Sequence, residues 1–167
     1  TGIDPDIYAR WQKSIDEGKK DKELADKARE RAGIAVMLSN KLNKYVETVE
    51  PGGGRLMRIR IKTKKKLDII IAYGQQADKT DKEKDEFYKQ LQEMVDNTPE
   101  RNSFIIAGDF NAKALKPTTE LEGRIMGKYT MYHADKEKGM GKGTIDNRDR
   151  LIKFCLENGL VLRNTMF

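Results

Sequence analysis

The chain has 167 residues, of which 37% are hydrophobic and 36% charged, and its mean hydropathy is -0.77. No run of about 20 apolar residues is present, which excludes a membrane-spanning helix. A single cysteine and a single histidine exclude a disulfide framework and any multi-Cys or multi-His metal centre. The 33 Lys and Arg against 27 Asp and Glu leave +6, a balance that favours a polyanionic partner such as DNA and gives no reason to expect a membrane. With no basic and apolar leader at Thr1–Pro5 and no cysteine pair, the expected setting is intracellular, nuclear or cytoplasmic, without a disulfide-linked partner.

Residues 1–32 predict a charged helical segment or insertion. Tyr8, Trp11 and Ile15 share one face, and Asp21–Arg31 carries a thinner stripe of Leu24, Ala25 and Ala28. From Gly33 the texture changes. Ile34–Leu38 is a continuous apolar run and predicts a strand buried on both faces. Tyr45–Val49 predicts a weaker strand ended by Pro51 and the turn-forming Gly52–Gly54. Those glycines lack a following Lys-Ser/Thr and a helix, so they do not make a nucleotide-binding loop.

Arg55–Lys62 alternates, with Met57, Ile59 and Ile61 on one face and Arg58, Arg60 and Lys62 on the other. With Lys64–Lys66 as a turn and Leu67–Tyr73 as the return strand, it predicts an antiparallel hairpin. Its basic face is either a surface for a nucleic-acid backbone or a solvated edge guarded by charge.

Thr80 with Glu83 three residues on forms a capping box. Phe87, Leu91, Met94 and Val95 then mark a helix that runs to Asn97. Ser103–Ala107 predicts a further strand, leading straight into Gly108-Asp109-Phe110-Asn111. Lys113–Gly143 reads as a polar, glycine-rich connection. The last helix is expected from about Asp146, burying Leu151, Ile152, Cys155 and Leu156 and closing at Asn158-Gly159, before a strand at Leu160–Leu162. Strands and helices mixed in this way predict an α/β sandwich with a mixed sheet.

The chemistry concentrates at Gly108–Asn111. A buried strand delivers a carboxylate and a carboxamide to its end; on an extended backbone Asp109 and Asn111 face one way and Phe110 the other, toward the core. An acid beside an amide suits a site that orients water while holding an anionic oxygen. The same residues also serve as turn formers after a strand.

The phrase Ile105-Ile106-Ala107-Gly108-Asp109-Phe110-Asn111-Ala112 after an amphipathic helix resembles the endonuclease/exonuclease/phosphatase superfamily. The resemblance is nearest to the endonuclease domains of non-LTR retrotransposons and their craniofacial-development-protein-like relatives. Gly33–Ser39, the hairpin Arg55–Tyr73 and the run Asp146–Thr165 carry further phrases in the same order.

The resemblance implies a DNase I-like sandwich in which 33–167 is the central part of the domain, incomplete at both ends. It implies a Mg²⁺-dependent endonuclease that cuts DNA phosphodiesters, with Asp109 aligning the attacking water. Asn111 would donate to the phosphate or hold the aspartate, and Tyr73 would contact the phosphate or assist the leaving group. Lys113, Lys116, Arg124 and Lys128, downstream of the Asp109 loop, are the expected nucleic-acid contacts.

Departures from the pattern shape the expectation. Gly74 is followed by Gln75 where the family has a small residue and proline. The family's metal-binding glutamate and its Ser-Asp-His motif have no counterpart in the 167 residues. His133 lies in the wrong place to substitute, and Glu122 and Asp135 have only their charge to recommend them as metal ligands. The expected activity is therefore weak or nil, Mg²⁺ is held loosely, and exposed sheet edges favour self-association. The alternatives are a non-catalytic remnant that grips nucleic acid or protein, and a phosphatase of the same superfamily. Cys155 is expected in the core and His133 in a surface loop.

Overall fold

The computed structural model describes residues 33–62, 66–130 and 140–167. The expected helical segment at 1–32, the turn lysines Lys64 and Lys65, and His133 and Asp135 lie outside the described residues. The elements in order are α1 (Asn40–Asn43), β1 (Val46–Gly52), β2 (Leu56–Ile61), β3 (Leu67–Tyr73), α2 (Asp81–Asp96), β4 (Ser103–Asp109), α3 (Glu120–Ile125), α4 (Lys142–Glu157) and a 3₁₀ turn (Arg163–Thr165). The strands form one mixed sheet in the order β1-β2-β3-β4, with antiparallel pairing up to β3 and parallel pairing of β3 with β4. The fold is α/β, and the β3–α2–β4 crossover is what makes the last pairing parallel.

One sheet face carries the larger core cluster, while Ile59 and Ile61 on the other face are also buried. Leu56, Ile70 and Ala72 pack under Phe87 and Leu91 of α2 and Phe154 of α4. Thr80 and Glu83 cap α2 reciprocally, as their spacing predicts. A second cluster joins Ile125 and Met126 to Leu151, Ile152 and Cys155. Cys155 is 3% exposed within this cluster, and burial pushes its thiol up to about 11. On the opposite sheet face Val49 and Ile105 remain about half exposed.

The alternation of β2 predicts a polar face in solvent, and there the fold differs. Arg58 is only 4% exposed and Asp68 is fully buried. Arg60 grips Asp68 with two hydrogen bonds of 3.0 Å, and Asn102 Nδ2 donates to the same carboxylate. Arg58 donates to Glu50 and to the Met94 carbonyl on α2. The basic hairpin face is thus turned inward and neutralised beneath a helix, and Arg58 and Arg60 are not a nucleic-acid surface. The pattern of alternation is right; the partner of the polar face is the protein itself.

Several expected elements are corrected. Residues 34–39 form no strand: Ile34, Val36 and Leu38 are half-buried while Ala35 and Met37 are exposed. No neighbouring strand among the described residues bonds their backbone, so they make one-sided contact instead of a ladder. Strand β1 continues through Pro51 to Gly52; Pro51 is tolerated because β1 is the edge of the sheet among the described residues.

The stretch after Lys113 contains α3, capped by the Thr119 side chain accepting from the Glu122 N–H. Helix α4 begins at Lys142, a turn before Asp146, with that turn seated against the loop at Ala77; a Cβ on Gly143 would lie 2.1 Å from the Ala77 carbonyl oxygen. Leu156 faces out at 38% exposure. The helix closes as expected at Asn158-Gly159, where Leu160 N–H bonds to Cys155 O. Beyond it, Leu162 makes a single parallel bridge to Met126, and Thr165 Oγ1 bonds back to Leu162 O and curls the chain into the 3₁₀ turn.

The buried charge network yields a stability prediction. Asp68→Asn keeps the shape but strands two guanidinium groups, and should cost about 3–5 kcal/mol in urea unfolding. A loss below about 1 kcal/mol would show that Glu50 and water suffice for Arg58 and Arg60.

Candidate functional site

Parallel pairing aligns the carboxyl ends of β3 and β4, with Tyr73 in register with Asp109. The same sheet continues into the hairpin, where Tyr73 N–H donates to Arg55 O at the start of β2. Arg55, Tyr73 and Asp109 therefore stand side by side on one face of three adjacent strands, within about 5 Å of each neighbour's backbone. The Arg55 guanidinium lies 4.8 Å from the centre of the Tyr73 ring and donates to the Tyr73 and Gly74 carbonyls. A cation, a phenol and an exposed carboxylate thus line one sheet end.

Close backbone approach makes this possible. Gly108 has φ +148°, and a Cβ there would fall 1.8 Å from Ala72 O, so only glycine lets β4 lie against β3 before Asp109. Gly74 is buried against Phe110, whose carbonyl oxygen would sit 2.5 Å from a Cβ on it. Gly74 N–H donates to Asp109 O at 2.7 Å, tying the two loops directly.

Phe110 points into the core as expected, edge-on to Phe87 with ring centres 6.4 Å apart. Asn111 departs from the extended geometry: its φ is +49°, a left-handed conformation that asparagine tolerates better than most side chains. The strand ends at Asp109, so the spacing of two no longer sets the direction of Asn111. The Asp109 carboxylate accepts the Asn111 N–H at 2.8 Å, closing an Asx turn, while Asn111 Nδ2 reaches across to Gly74 O at 2.8 Å. The carboxamide is engaged in holding the β3 loop. The Asp109 carboxylate makes one hydrogen bond among the described residues.

Of the expected basic contacts, Lys113 and Lys116 are exposed on the coil that follows Asn111. Arg124 is exposed on α3 and paired with Glu120, and Lys128 lies over the Tyr129 ring. Glu122 is not a free acid. Arg148 Nη2 and Thr118 both bond to it, and Arg148 also donates to Lys116 O, so this pair anchors the lysine-bearing coil to α4.

No group of three or more His, Cys, Asp or Glu side chains among the described residues is arranged to hold a metal ion. One carboxylate, with a carboxamide already bonded, is too small a donor set for a resident Mg²⁺. Among the described residues no helix is long and apolar enough to cross a membrane.

Sequence reasoning placed Arg55 in the hairpin and Asn147 near the start of the last helix, and assigned neither to the site. The signal for Arg55 was the hairpin register, which places it opposite Tyr73. Asn147 stands in the run Asp146–Thr165 that carries the resemblance, but nothing local gives its partners, because a helical asparagine reaches the loops only through tertiary packing.

Over 138 residues, 82% of the chain, the sequence is 29% identical to craniofacial development protein 2 of Bos taurus, and it is 28% identical over 138 residues to the protein of the same name from Tragulus javanicus. The similarity is distant. The chain spans about a fifth of the length of these relatives, 21% and 22% respectively. No family model matches the chain, and no solved structure matches it.

The Glu122–Arg148 pair makes a pH prediction. Burial alone would raise the Glu122 carboxyl, but hydrogen bonds from Arg148 and Thr118 outweigh it and hold the group below 4.5. A lowered folded value means the pair's contribution is present above pH 4.5 and is lost as pH falls through that lowered value. Arg148→Met should cost about 3 kcal/mol at pH 7 and flatten the acid limb of stability against pH. Parallel acid limbs in the two proteins would remove Glu122 from the explanation.

Proposed function

We propose that the chain carries the phosphate-facing part of a phosphodiester-cleaving domain of the endonuclease type, acting on DNA, on a DNase I-like fold. The observation that supports the reading is Tyr73 and Asp109 in register at the carboxyl ends of the parallel strands β3 and β4, the place where open α/β sheets bind ligands, with Arg55 beside them at the amino end of antiparallel β2. In this reading a phosphate oxygen accepts from Arg55 and from the Tyr73 hydroxyl. Asp109 takes a hydrogen bond from the attacking water and turns its lone pair toward phosphorus. The water's proton passes to Asp109 as its oxygen bonds to phosphorus, and the bond to the leaving oxygen breaks in line on the opposite side, that oxygen taking a proton from solvent. Asn111 holds Gly74, and so the Tyr73 loop, in place.

Mg²⁺ is the cofactor this reading implies; it would neutralise charge developing on the phosphate. The single carboxylate of Asp109 is a poor ligand set by itself, so cleavage by the 167 residues is expected to be weak. Lys113 and Lys116 supply the backbone electrostatics, with Arg124 and Lys128 further along the same stretch. Distant similarity to craniofacial development protein 2 is compatible with the reading and does not specify it.

A second reading, a module that grips DNA without cutting it, draws on one observation: the Asn111 carboxamide is spent on Gly74 O, leaving Asp109 with few partners for chemistry.

A short fluorescent duplex tests both. Binding should weaken with salt, and Lys113→Ala with Lys116→Ala should reduce the log–log salt slope by about two. Binding that ignores both salt and these lysines would end the nucleic-acid reading. Plasmid nicking in Mg²⁺ should be weak and should vanish in Asp109→Ala. Nicking that survives Asp109→Ala would move the chemistry elsewhere, and binding with no nicking at all would select the gripping module.

A further inference from the structure

Helix α4 enters the site through one side chain. Asn147 is 3% exposed, in the second turn of the helix, and its Nδ2 donates to Gln75 O at 2.8 Å and to Asn111 O at 3.0 Å. Both partners are carbonyl oxygens, so only the amide nitrogen can face them and the orientation of the carboxamide is fixed by chemistry. One acceptor lies in the loop after β3 and the other in the loop after β4. The two protons of a single NH₂ group therefore bridge the two strand ends from behind.

We propose that Asn147 is the positioning residue of the site: it clamps the Tyr73 loop to the Asp109 loop and keeps Asn111 in its left-handed conformation. Two observations converge on this. Asn111 at φ +49° is a non-glycine residue in a sparsely populated conformation, which persists only when its surroundings over-determine it. The direct ties between the loops, Gly74 N–H to Asp109 O and Asn111 Nδ2 to Gly74 O, all involve Gly74 and leave Gln75 to Asn147.

The base of the clamp is also rigid. Next to Asn147, Asp146 is held by buried Lys84, which in turn donates to Ala77 O further along the β3 loop. Arg150 pairs with Asp146 and with Asp85 on α2. The clamp is therefore mounted on a two-helix frame and does not ride on a free helix end.

Asn147 touches neither the proposed phosphate nor the water; it acts through the two loops. The inference rests on the phosphodiester reading only for what the loops are used for, since the clamp itself is a matter of geometry.

The test uses the 167-residue chain with Asn147→Ala, Asn147→Asp and a control, Asn158→Ala. Asn158 bonds Gln92 and the Phe154 carbonyl at the far end of α4 and touches neither loop. Asn147→Asp keeps the volume but presents oxygens to two carbonyls, so a space-filling role would survive it and a donor role would not. Amide hydrogen exchange by NMR should speed up about tenfold at Gly74 and Asn111 in both Asn147 variants, with Ile70 in the sheet centre unmoved. Asn158→Ala should lower stability without touching those two amides.

Affinity for a short duplex should fall severalfold in the Asn147 variants and stay at the wild-type value in Asn158→Ala. Unchanged exchange at Gly74 and Asn111, or Asn147→Asp behaving as wild type, overturns the clamp whatever the protein binds. Faster exchange with wild-type affinity overturns the positioning role. Loosened loops in a protein that binds no DNA in any form leave the clamp standing and remove the phosphodiester reading instead.

Discussion

Parallel pairing of β3 with β4 is the constraint from which the rest of the site follows. Antiparallel strands would send their carboxyl ends to opposite edges of the sheet; the β3–α2–β4 crossover brings Tyr73 and Asp109 to the same edge and into register. The crossover is stable because α2 buries Phe87 and Leu91 over Leu56, Ile70 and Ala72. The pairing is close because Gly108 offers no Cβ to the Ala72 carbonyl. A hydrophobic contact and a missing methyl group thus determine where a phenol and a carboxylate meet.

Charge is used in two ways in this basic chain. Arg58 and Arg60 spend theirs inside, on Asp68, Glu50 and a helix carbonyl, where the arrangement enforces the seating of α2 on the sheet. Buried ion pairs contribute little net stability relative to apolar packing, yet breaking one is costly, so such a network specifies an arrangement more than it strengthens it. Lys113 and Lys116 keep theirs in solvent, on a coil anchored from below by Arg148 and Glu122. Net charge alone does not separate the two uses. Burial does.

Helix α4 is the brace of the molecule. Its apolar side closes the second core cluster around Ile125 and Cys155. Its polar side sends Asp146, Asn147, Arg148 and Arg150 to four different places: buried Lys84, the two site loops, the lysine-bearing coil and the start of α2. Read as a sequence, Asp146–Arg150 is an ordinary charged opening to an amphipathic helix. In the fold it is where the outlying segments are tied together.

Local rules were readable wherever a few neighbouring residues decide the outcome. The capping box at Thr80 and Glu83, the hairpin from Leu56 to Tyr73, the glycine closing α4 and the inward turn of Phe110 all follow from short-range sterics and hydrogen bonding. Asp109 as the acid at a strand end was legible in the same way, from an apolar strand followed by glycine, but the expected burial of that strand was not: β4 alternates between half-buried and exposed residues. What tertiary structure alone decided is anything needing a partner from a distant segment: that 34–39 finds no ladder among the described residues, that Arg58 turns inward, that Asn111 leaves the strand direction and bonds Gly74, and that Asn147 reaches both loops. The physical reason is that a hydrogen-bonding group advertises its valence in the sequence, while the identity of the group that satisfies it is set by which surfaces the hydrophobic core brings together.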